Sequence, residues 1–333
     1  MCAAEALDMD DISYLLPSLK DIEDAAQLIY GVMPPTPQYN WPLLAKRLGC
    51  DLWVKHENHT PTGAFKVRGG LVYMRQLKEK NPDIKGVITA TRGNHGQSVA
   101  FAAAREGLQS VVVVPEGNCR EKNEAMKAFG AELIIHGSDF QEAVEYAGQL
   151  GKERGLHAMC PFDMTLVKGV STYAMEFFRS HPDLDTIYTS IGMGSGICGI
   201  ISAREALGLK TKVVGVVSKH APMMALSFEK GEMVEHAAST KIGDGMACRK
   251  PAENAFKIIH RYADRIVQVD DDELCDAMRA YYTDTHNIAE GAGAAPLAGL
   301  MQEKEKMAGK KVGVILCGQN VESEQFAKIL CCG

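Results

Sequence analysis

Lys66 is the side chain whose type and setting point first to chemistry. It lies in the stretch Thr60-Pro61-Thr62-Gly63-Ala64-Phe65-Lys66-Val67-Arg68-Gly69-Gly70. Thr, Pro and Gly in the first half mark a turn. An amphipathic strand, Leu52-Trp53-Val54-Lys55-His56-Glu57, comes before it. Gly63 frees the backbone ahead of a helix expected to begin near Ala64, which puts Lys66 in the first helical turn. Free N–H groups there favour anions and disfavour a cation. That setting lowers the pKa of an amine and suits it to Schiff-base chemistry. The competing reading of a lone lysine is a solvated surface group.

Further stretches carry polar groups at the ends of expected strands. Thr91-Arg92-Gly93-Asn94-His95-Gly96-Gln97 follows a strand ending at Ala90 and opens a helix. The N–H groups of such a helix start can hold a carboxylate; a turn with capping polar groups is the alternative. Gly192-Met193-Gly194-Ser195-Gly196-Ile197 follows the strand at 187–191. Its glycines let the backbone approach a phosphate. The run 194–199 also fits Gly-x-Gly-x-x-Gly, the dinucleotide fingerprint. That fingerprint expects an Asp or Glu at the end of the next strand, and here the strand at 213–217 ends in Ser218-Lys219. A single phosphate is the better reading. Leu316-Cys317-Gly318-Gln319-Asn320 ends the last strand, where Cys317 alone reads as a small core thiol. Glu290, in Glu290-Gly291-Ala292-Gly293, reads equally as a helix-start carboxylate.

The elements that must position these groups alternate almost throughout. Strands are expected at 87–90, 110–115, 133–135, 186–191, 213–217, 265–269 and 312–316, with helices between them. A capping box at Asn118-Cys119-Arg120-Glu121 is expected to open the helix that runs to Phe129. Asp139 with Glu142 is expected to start another. The fold class is therefore α/β: open, mostly parallel layers with helices on both faces. Ligands bind beyond the carboxyl ends of strands in such sheets, and each motif falls at such a place.

A chain of 333 residues has room for two domains and a large core. A net charge of −6 supplies no electrostatic reason to expect nucleic acid. No apolar run approaches membrane-span length, and no basic-then-apolar leader opens the chain. The acidic start, Glu5 to Asp11, reads as a loose terminal arm. None of the ten cysteines forms a Cys-x-x-Cys pair. Cys198, Cys275 and Cys317 sit in apolar surroundings, which argues for reduced, buried thiols and a cytoplasmic location. The vicinal Cys331-Cys332 reads as an exposed end.

Taken together, the motifs resemble the fold-type II pyridoxal-phosphate (PLP) enzymes, whose lysine segment is close to Ser/Ala-Phe-Lys-x-Arg-Gly. Among these the motifs resemble the threonine/serine dehydratases and serine racemase, and the resemblance runs from about Ile22 to Asn320. It implies PLP in a cleft between a large domain, 1–76 and 165–333, and a small inserted domain, 86–163. Lys66 would hold the cofactor as a Schiff base beside Phe65, and Asn94 would hydrogen-bond its 3′ oxygen. Gly192, Met193, Gly194, Ser195 and Gly196 would bind its phosphate, although Met193 and Ser195 depart from the family's glycines. Cys317 would face the pyridine nitrogen, with Gln319 replacing a family glycine. Gly245, in Asp244-Gly245-Met246, would pass near the cofactor. Thr91, Arg92, Gly93 and His95 would border the substrate carboxylate, and Glu290 the β-carbon. Arg92 replaces the family's Ala or Ser. It would meet a second carboxylate or an aromatic β-substituent of the substrate, or else turn away and pair with an acid of the small domain.

The resemblance thus implies a dehydratase (ammonia-lyase) that converts a β-hydroxy-α-amino acid of the serine/threonine, 3-hydroxyaspartate or phenylserine type to a 2-oxo acid and ammonia. Lys66 would remove the Cα proton, and the cofactor phosphate would protonate the leaving hydroxyl. The alternatives are a racemase-like isomerase, a β-replacement synthase and a non-catalytic PLP-binding paralogue. His95 favours dehydration over replacement, since the synthases usually carry Thr or Ser there. Relatives are commonly homodimers. With Gly333 as the last residue, no C-terminal regulatory domain and no isoleucine feedback are expected. The family's divalent-cation carboxylates align with Val217 and Met223, which cannot ligate a hard cation, so no metal is expected. A chelator should therefore leave activity and melting temperature unchanged; a loss restored by magnesium or calcium would overturn that reading.

Overall fold

The structure, a computed structural model, describes residues 12–331. The expected acidic arm from Glu5 to Asp11, and Cys332 of the vicinal pair, lie outside the described residues. The helices, in chain order, are α1 (Leu19–Tyr30), α2 (Pro42–Leu48), α3 (Lys66–Lys80), α4 (Asn94–Arg105), α5 (Arg120–Ala128), α6 (Phe140–Arg154) and α7 (Met164–Ser180). They continue with α8 (Ser195–Ala206), α9 (Met223–Lys230), α10 (Glu253–Tyr262), α11 (Asp271–Thr285), α12 (Gly291–Gln302), α13 (Lys304–Met307) and α14 (Ser323–Cys331). The strands are β1 (Gln38–Asn40), β2 (Asp51–His56), β3 (Gly86–Ala90), β4 (Gln109–Val114), β5 (Glu132–Ile135), β6 (His157–Ala158), β7 (Thr186–Ser190), β8 (Lys212–Ser218), β9 (Arg265–Val269) and β10 (Lys311–Leu316).

Two sheets organise the chain. A six-stranded sheet has the order β1-β2-β10-β7-β8-β9, and a four-stranded sheet has the order β5-β4-β3-β6. Every pairing is parallel except β1 with β2. Parallel strands covered on both faces read as unbroken apolar runs, and Val111 to Val114 and Val312 to Leu316 bury in that way, Gly313 among them. The edge strands β1 and β6 are too short to carry such a signal, and the sequence reading missed them. The four-stranded sheet is drawn wholly from residues 86–158.

Some local expectations change. Helix α3 begins at Lys66, with Phe65 as its N-cap, rather than near Ala64. The capping box expected at residues 118–121 does not form. Cys119 is the N-cap of α5, its Sγ accepting from the Lys122 N–H at 3.5 Å. Asn118 donates instead to Asn123 Oδ1 at 2.6 Å. Glu121 leaves its own helix end and accepts from the Ser323 hydroxyl at 2.5 Å. Cys198 and Cys317 are buried, whereas Cys275 is only half-buried.

Behind Lys66 lies a closed ionic cluster. Arg68, in the first turn of α3, donates from Nε to Glu57 Oε2 at 2.8 Å and from Nη1 to Glu176 Oε1 at 2.7 Å. Lys55 of β2 donates to Glu176 Oε2 at 2.5 Å and to the Thr36 carbonyl at 2.9 Å. The Arg68, Lys55 and Glu57 side chains are 0% exposed and Glu176 is 5% exposed. Two cations therefore face two anions, and the fork of Arg68 satisfies both carboxylates. Removing one member of a buried set strands the others without water. Glu176→Gln should cost about 3–5 kcal/mol of unfolding free energy in denaturant titration. A loss below about 1 kcal/mol, the value of a surface pair, would show that the cluster does not hold the fold.

Candidate active site

The turn carrying Lys66 is stitched to the end of β10. The Phe65 N–H donates to the Cys317 carbonyl at 3.0 Å, the Gln319 N–H to the Gly63 carbonyl at 3.0 Å, and Ala64 bridges Gly318. Gly63 has φ +67, and a side chain there would meet Asn320 Oδ1 at 2.7 Å, so glycine is required. Lys66 is the first residue of α3, and its carbonyl accepts from the Ser98 hydroxyl at 2.7 Å. Burial pulls its amine below the usual lysine range, against the opposing influence of Cys248, Cys317 and Glu290. A neutral amine is the reactive form.

Three loops converge on that amine. The first follows β3. Thr91 is buried, and its hydroxyl accepts from the Gly93 N–H at 3.1 Å. Asn94 opens α4; its amide donates to Glu290 Oε1 at 2.6 Å and its carbonyl oxygen accepts from Asn320 at 2.8 Å. His95 is buried, and burial with the nearby Lys66 charge brings it down to about 3, so the ring is neutral. Its Nε2 has no hydrogen-bond partner among the described residues. Arg92 is exposed, and no ion pair with a described acid holds it.

The second loop follows β7. Gly194 takes φ +102 as the N-cap of α8, and no side chain caps that helix start. Gly192 packs on the Gly245 carbonyl, 2.4 Å from where a Cβ would stand. Gly196 faces the Phe65 ring at 3.7 Å on the same measure. Ser195 is buried and Met193 half-buried. An uncapped helix N-terminus reached through glycines is a setting for an anion.

The third is the exit of β10. The Cys317 thiol is buried, 3.4 Å from Ser190 Oγ and 3.5 Å from the Ala292 carbonyl. Burial pushes it up to about 12, so it stays a neutral thiol. Glu290 is the N-cap of α12 but does not cap it; its carboxyl points at Asn94 and Lys122 instead.

Lys122, Ser190 and Cys248 also reach the site, and the sequence reading missed them. Lys122 extends from α5, its Nζ 2.6 Å from Asp244 Oδ2 and 3.7 Å from Glu290 Oε2. Its stem crosses Gly93, where a Cβ would stand 2.6 Å from Lys122 Cδ. No local pattern marks it, because its partners lie over a hundred residues away. Cys248 Sγ lies 3.7 Å from where a Cβ on Gly192 would stand. Val217 and Met223 lie in the apolar core. Among the described residues no group of three or more His, Cys, Asp or Glu is arranged to hold a metal.

Residues 29–318 match the family described as pyridoxal-phosphate dependent enzyme. The L-threonine ammonia-lyase of Geobacter sulfurreducens is 36% identical over 287 residues, covering 86% of this chain and 71% of that protein. The biosynthetic L-threonine dehydratase of Haemophilus influenzae is 32% identical over 296 residues, covering 88% of this chain. The chain spans 58% of the length of that relative. Among solved structures, processed threonine deaminase isoform 2 of Solanum lycopersicum superposes with a TM-score of 0.88 at 29% identity, covering 96% of this chain and 93% of that one.

The glycine cradle yields a direct test. Gly194→Ala would force an L side chain into φ +102, with its Cβ 2.8 Å from Ala255 Cβ. The expected cost is about 1–3 kcal/mol of stability, read as a lower melting temperature. A variant as stable as the wild type would show that the loop relaxes.

Proposed function

The chain belongs to the pyridoxal-phosphate-dependent enzyme family, and from that premise we propose that it is a dehydratase acting on a β-hydroxy-α-amino acid. The residues present suit that cofactor. The Lys66 amine suits a Schiff base with its aldehyde, the uncapped start of α8 behind Gly192 to Gly196 suits its phosphate, and Asn94 suits its 3′ oxygen. The side chain that carries the dehydratase reading is Cys317. A neutral thiol does not keep a pyridine nitrogen protonated, and the weaker electron sink favours β-elimination over transamination.

When bound through its aldehyde to Lys66, pyridoxal phosphate supplies the sink for the electron pair released as the Cα–H bond breaks. The chain's own residues do the rest. The start of α4, with Thr91, Gly93 and neutral His95, binds the substrate carboxylate through N–H groups and polar side chains. The Lys66 amine takes the Cα proton. Glu290 borders the β-carbon. The Cβ–O bond breaks, and the enamine so formed hydrolyses to a 2-oxo acid and ammonia. Arg92 keeps its proton at any working pH and is a poor base, which speaks against racemisation on the second face. Exposed on the loop after β3, it meets a second carboxylate or an aromatic β-substituent.

Three coarser features belong to the same proposal. The domain division follows the sheets, with 86–163 as the small domain and 1–76 with 165–333 as the large one. A homodimer is supported by exposed Leu43 and Tyr282 on α2 and α11, which the Arg47–Asp284 ion pair joins at 2.6 Å. A cytoplasmic location is supported by the eight free cysteines among the described residues. No helix among them is long and apolar enough to cross a membrane.

The test is a 2-oxo acid assay over serine, threonine, 3-hydroxyaspartate and phenylserine in each stereoisomer. Wild type should turn over at least one substrate, Lys66→Ala none, and borohydride should fix the cofactor to Lys66. An adduct mapped elsewhere, or turnover by Lys66→Ala, overturns the mechanism. Arg92→Ala should lose activity on 3-hydroxyaspartate or phenylserine far more than on serine; equal activity on all four would leave Arg92 without a role in specificity.

A further inference from the structure

Tyr173 carries a buried hydroxyl, between the Lys66 turn and the start of α8, that the elimination does not use. It lies on α7 and is 1% exposed. Its ring meets the Phe65 ring edge-on, with centroids 6.2 Å apart, and the Arg68 guanidinium carbon lies 5.9 Å from its centroid. Its hydroxyl donates to the Gly196 carbonyl at 3.4 Å and accepts from the Thr189 hydroxyl. Thr189 stands on β7 and is 2% exposed. A buried hydroxyl has one proton to place. Thr189 gives its own to Tyr173, so the Tyr173 proton goes to the Gly196 carbonyl. Burial holds the phenol well above its ordinary range, so that proton stays on.

Gly196 belongs to the first turn of α8. Gly194 is the N-cap, no side chain caps the helix, and the Cys198 N–H donates to the Gly194 carbonyl at 3.0 Å. The N–H groups of Ser195, Gly196 and Ile197 therefore have no partner within the helix. The Gly196 carbonyl and the Ile197 N–H are the two ends of one peptide unit. A donor on that carbonyl polarises the peptide and makes the N–H a stronger donor. The coupling also runs backwards. An anion on the Ile197 N–H tightens the Tyr173 bond, which at 3.4 Å is long for a hydroxyl. Close packing of α7 on α8 keeps the two groups together, since a Cβ on Gly199 would stand 3.0 Å from the Ser171 nitrogen.

We propose that Tyr173 is a positioning residue for the cofactor phosphate: by donating to the Gly196 carbonyl, its hydroxyl sets the place and the donor strength of the Ile197 N–H from which the phosphate accepts. The assignment rests on the reading above that the start of α8 holds that phosphate. The donors of Thr189, Tyr173 and the Gly196–Ile197 peptide all point the same way, and each bond in such a chain strengthens the next. The phenol also ties α8 to the turn that carries Lys66. The Phe65 ring it packs against lies 3.7 Å from where a Cβ on Gly196 would stand. One side chain thus fixes the separation between the amine that takes the aldehyde and the N–H group that takes the phosphate.

The experiment compares two ligands. Pyridoxal phosphate and pyridoxal share the ring and the aldehyde, and only the first carries a phosphate, so the Kd of each is measured on the full-length chain. Wild type should bind pyridoxal phosphate far more tightly. Tyr173→Phe keeps the ring and its packing but has no proton to give. It should raise the Kd for pyridoxal phosphate about fivefold, the factor that one hydrogen bond contributes, while the Kd for pyridoxal stays within about twofold. A side chain that only filled the core would weaken both ligands alike. Equal weakening of both, or an unchanged Kd for pyridoxal phosphate, overturns the assignment. If Tyr173→Phe does not fold, the double variant Tyr173→Phe with Thr189→Val takes its place. It removes both hydroxyls and strands neither, a change that is often nearly neutral for stability, and the same selective loss is expected of it. Failure of the phosphate reading would look different, since wild type would then bind pyridoxal as tightly as pyridoxal phosphate.

Discussion

The site depends on a charge cluster that never touches it. Lys55, Glu57, Arg68 and Glu176 lie under the first turn of α3 with almost no solvent. Four charges in so dry a place are tolerable only because each is paired and hydrogen-bonded at once. The geometry of the Arg68 fork therefore sets where β2, α3 and α7 meet. Tyr30 of α1 adds its hydroxyl to Glu176 at 3.1 Å. Lys66 stands two residues before Arg68, so the cluster fixes the backbone from which the reactive amine projects. Such a cluster is a means of positioning rather than a source of net stability, since apolar residues of the same volume are often no less stabilising.

Around the amine, the charge states follow from burial. His95 and Cys317 lose their charged forms because a low-dielectric pocket disfavours them. The Lys66 amine is lowered for the same reason. Glu290 moves the other way, toward its neutral acid. The cleft thus holds mostly neutral groups that donate or accept single protons. Lys122 and Asp244 pair at the rim at 2.6 Å. Main-chain N–H groups at the starts of α4 and α8 supply the field for anions, and they need no counter-charge.

The two sheets are linked by an apolar cluster in which α1 and α3 pack on β3 and α4, and by polar contacts across the cleft. Asn94 touches Asn320 and Glu290, Lys122 reaches Asp244, and the starts of α5 and α14 exchange carboxylates. Glu121 accepts from the Ser323 N–H at 3.2 Å and Glu322 from the Arg120 N–H at 3.2 Å. Each helix start is thus served by an acid from the other side of the cleft, and at α5 this takes the place of the capping box expected at 118–121. Cross-cleft bonds of this kind complete the site.

The local sequence determined the alternation of strands and helices, the glycines at the loop starts and the place of Lys66 at a helix start. Those signals are local, since turn chemistry, unbroken apolar runs and a free helix N-terminus act within a few residues. The unbroken β-branched run Val111 to Val114 reads as an inner strand, and the structure buries it as one. The tertiary structure alone decided which distant groups share the cleft. Lys122 looks like any helical surface lysine until Gly93 lets its stem pass and Asp244 receives its charge. Glu290 reads from sequence equally as a helix-start carboxylate and as a site residue, until Asn94 turns it inward. Glu121 looked like half of a capping box until Ser323 claimed it. Each depends on a partner far along the chain, and only long-range packing fixes which partner that is.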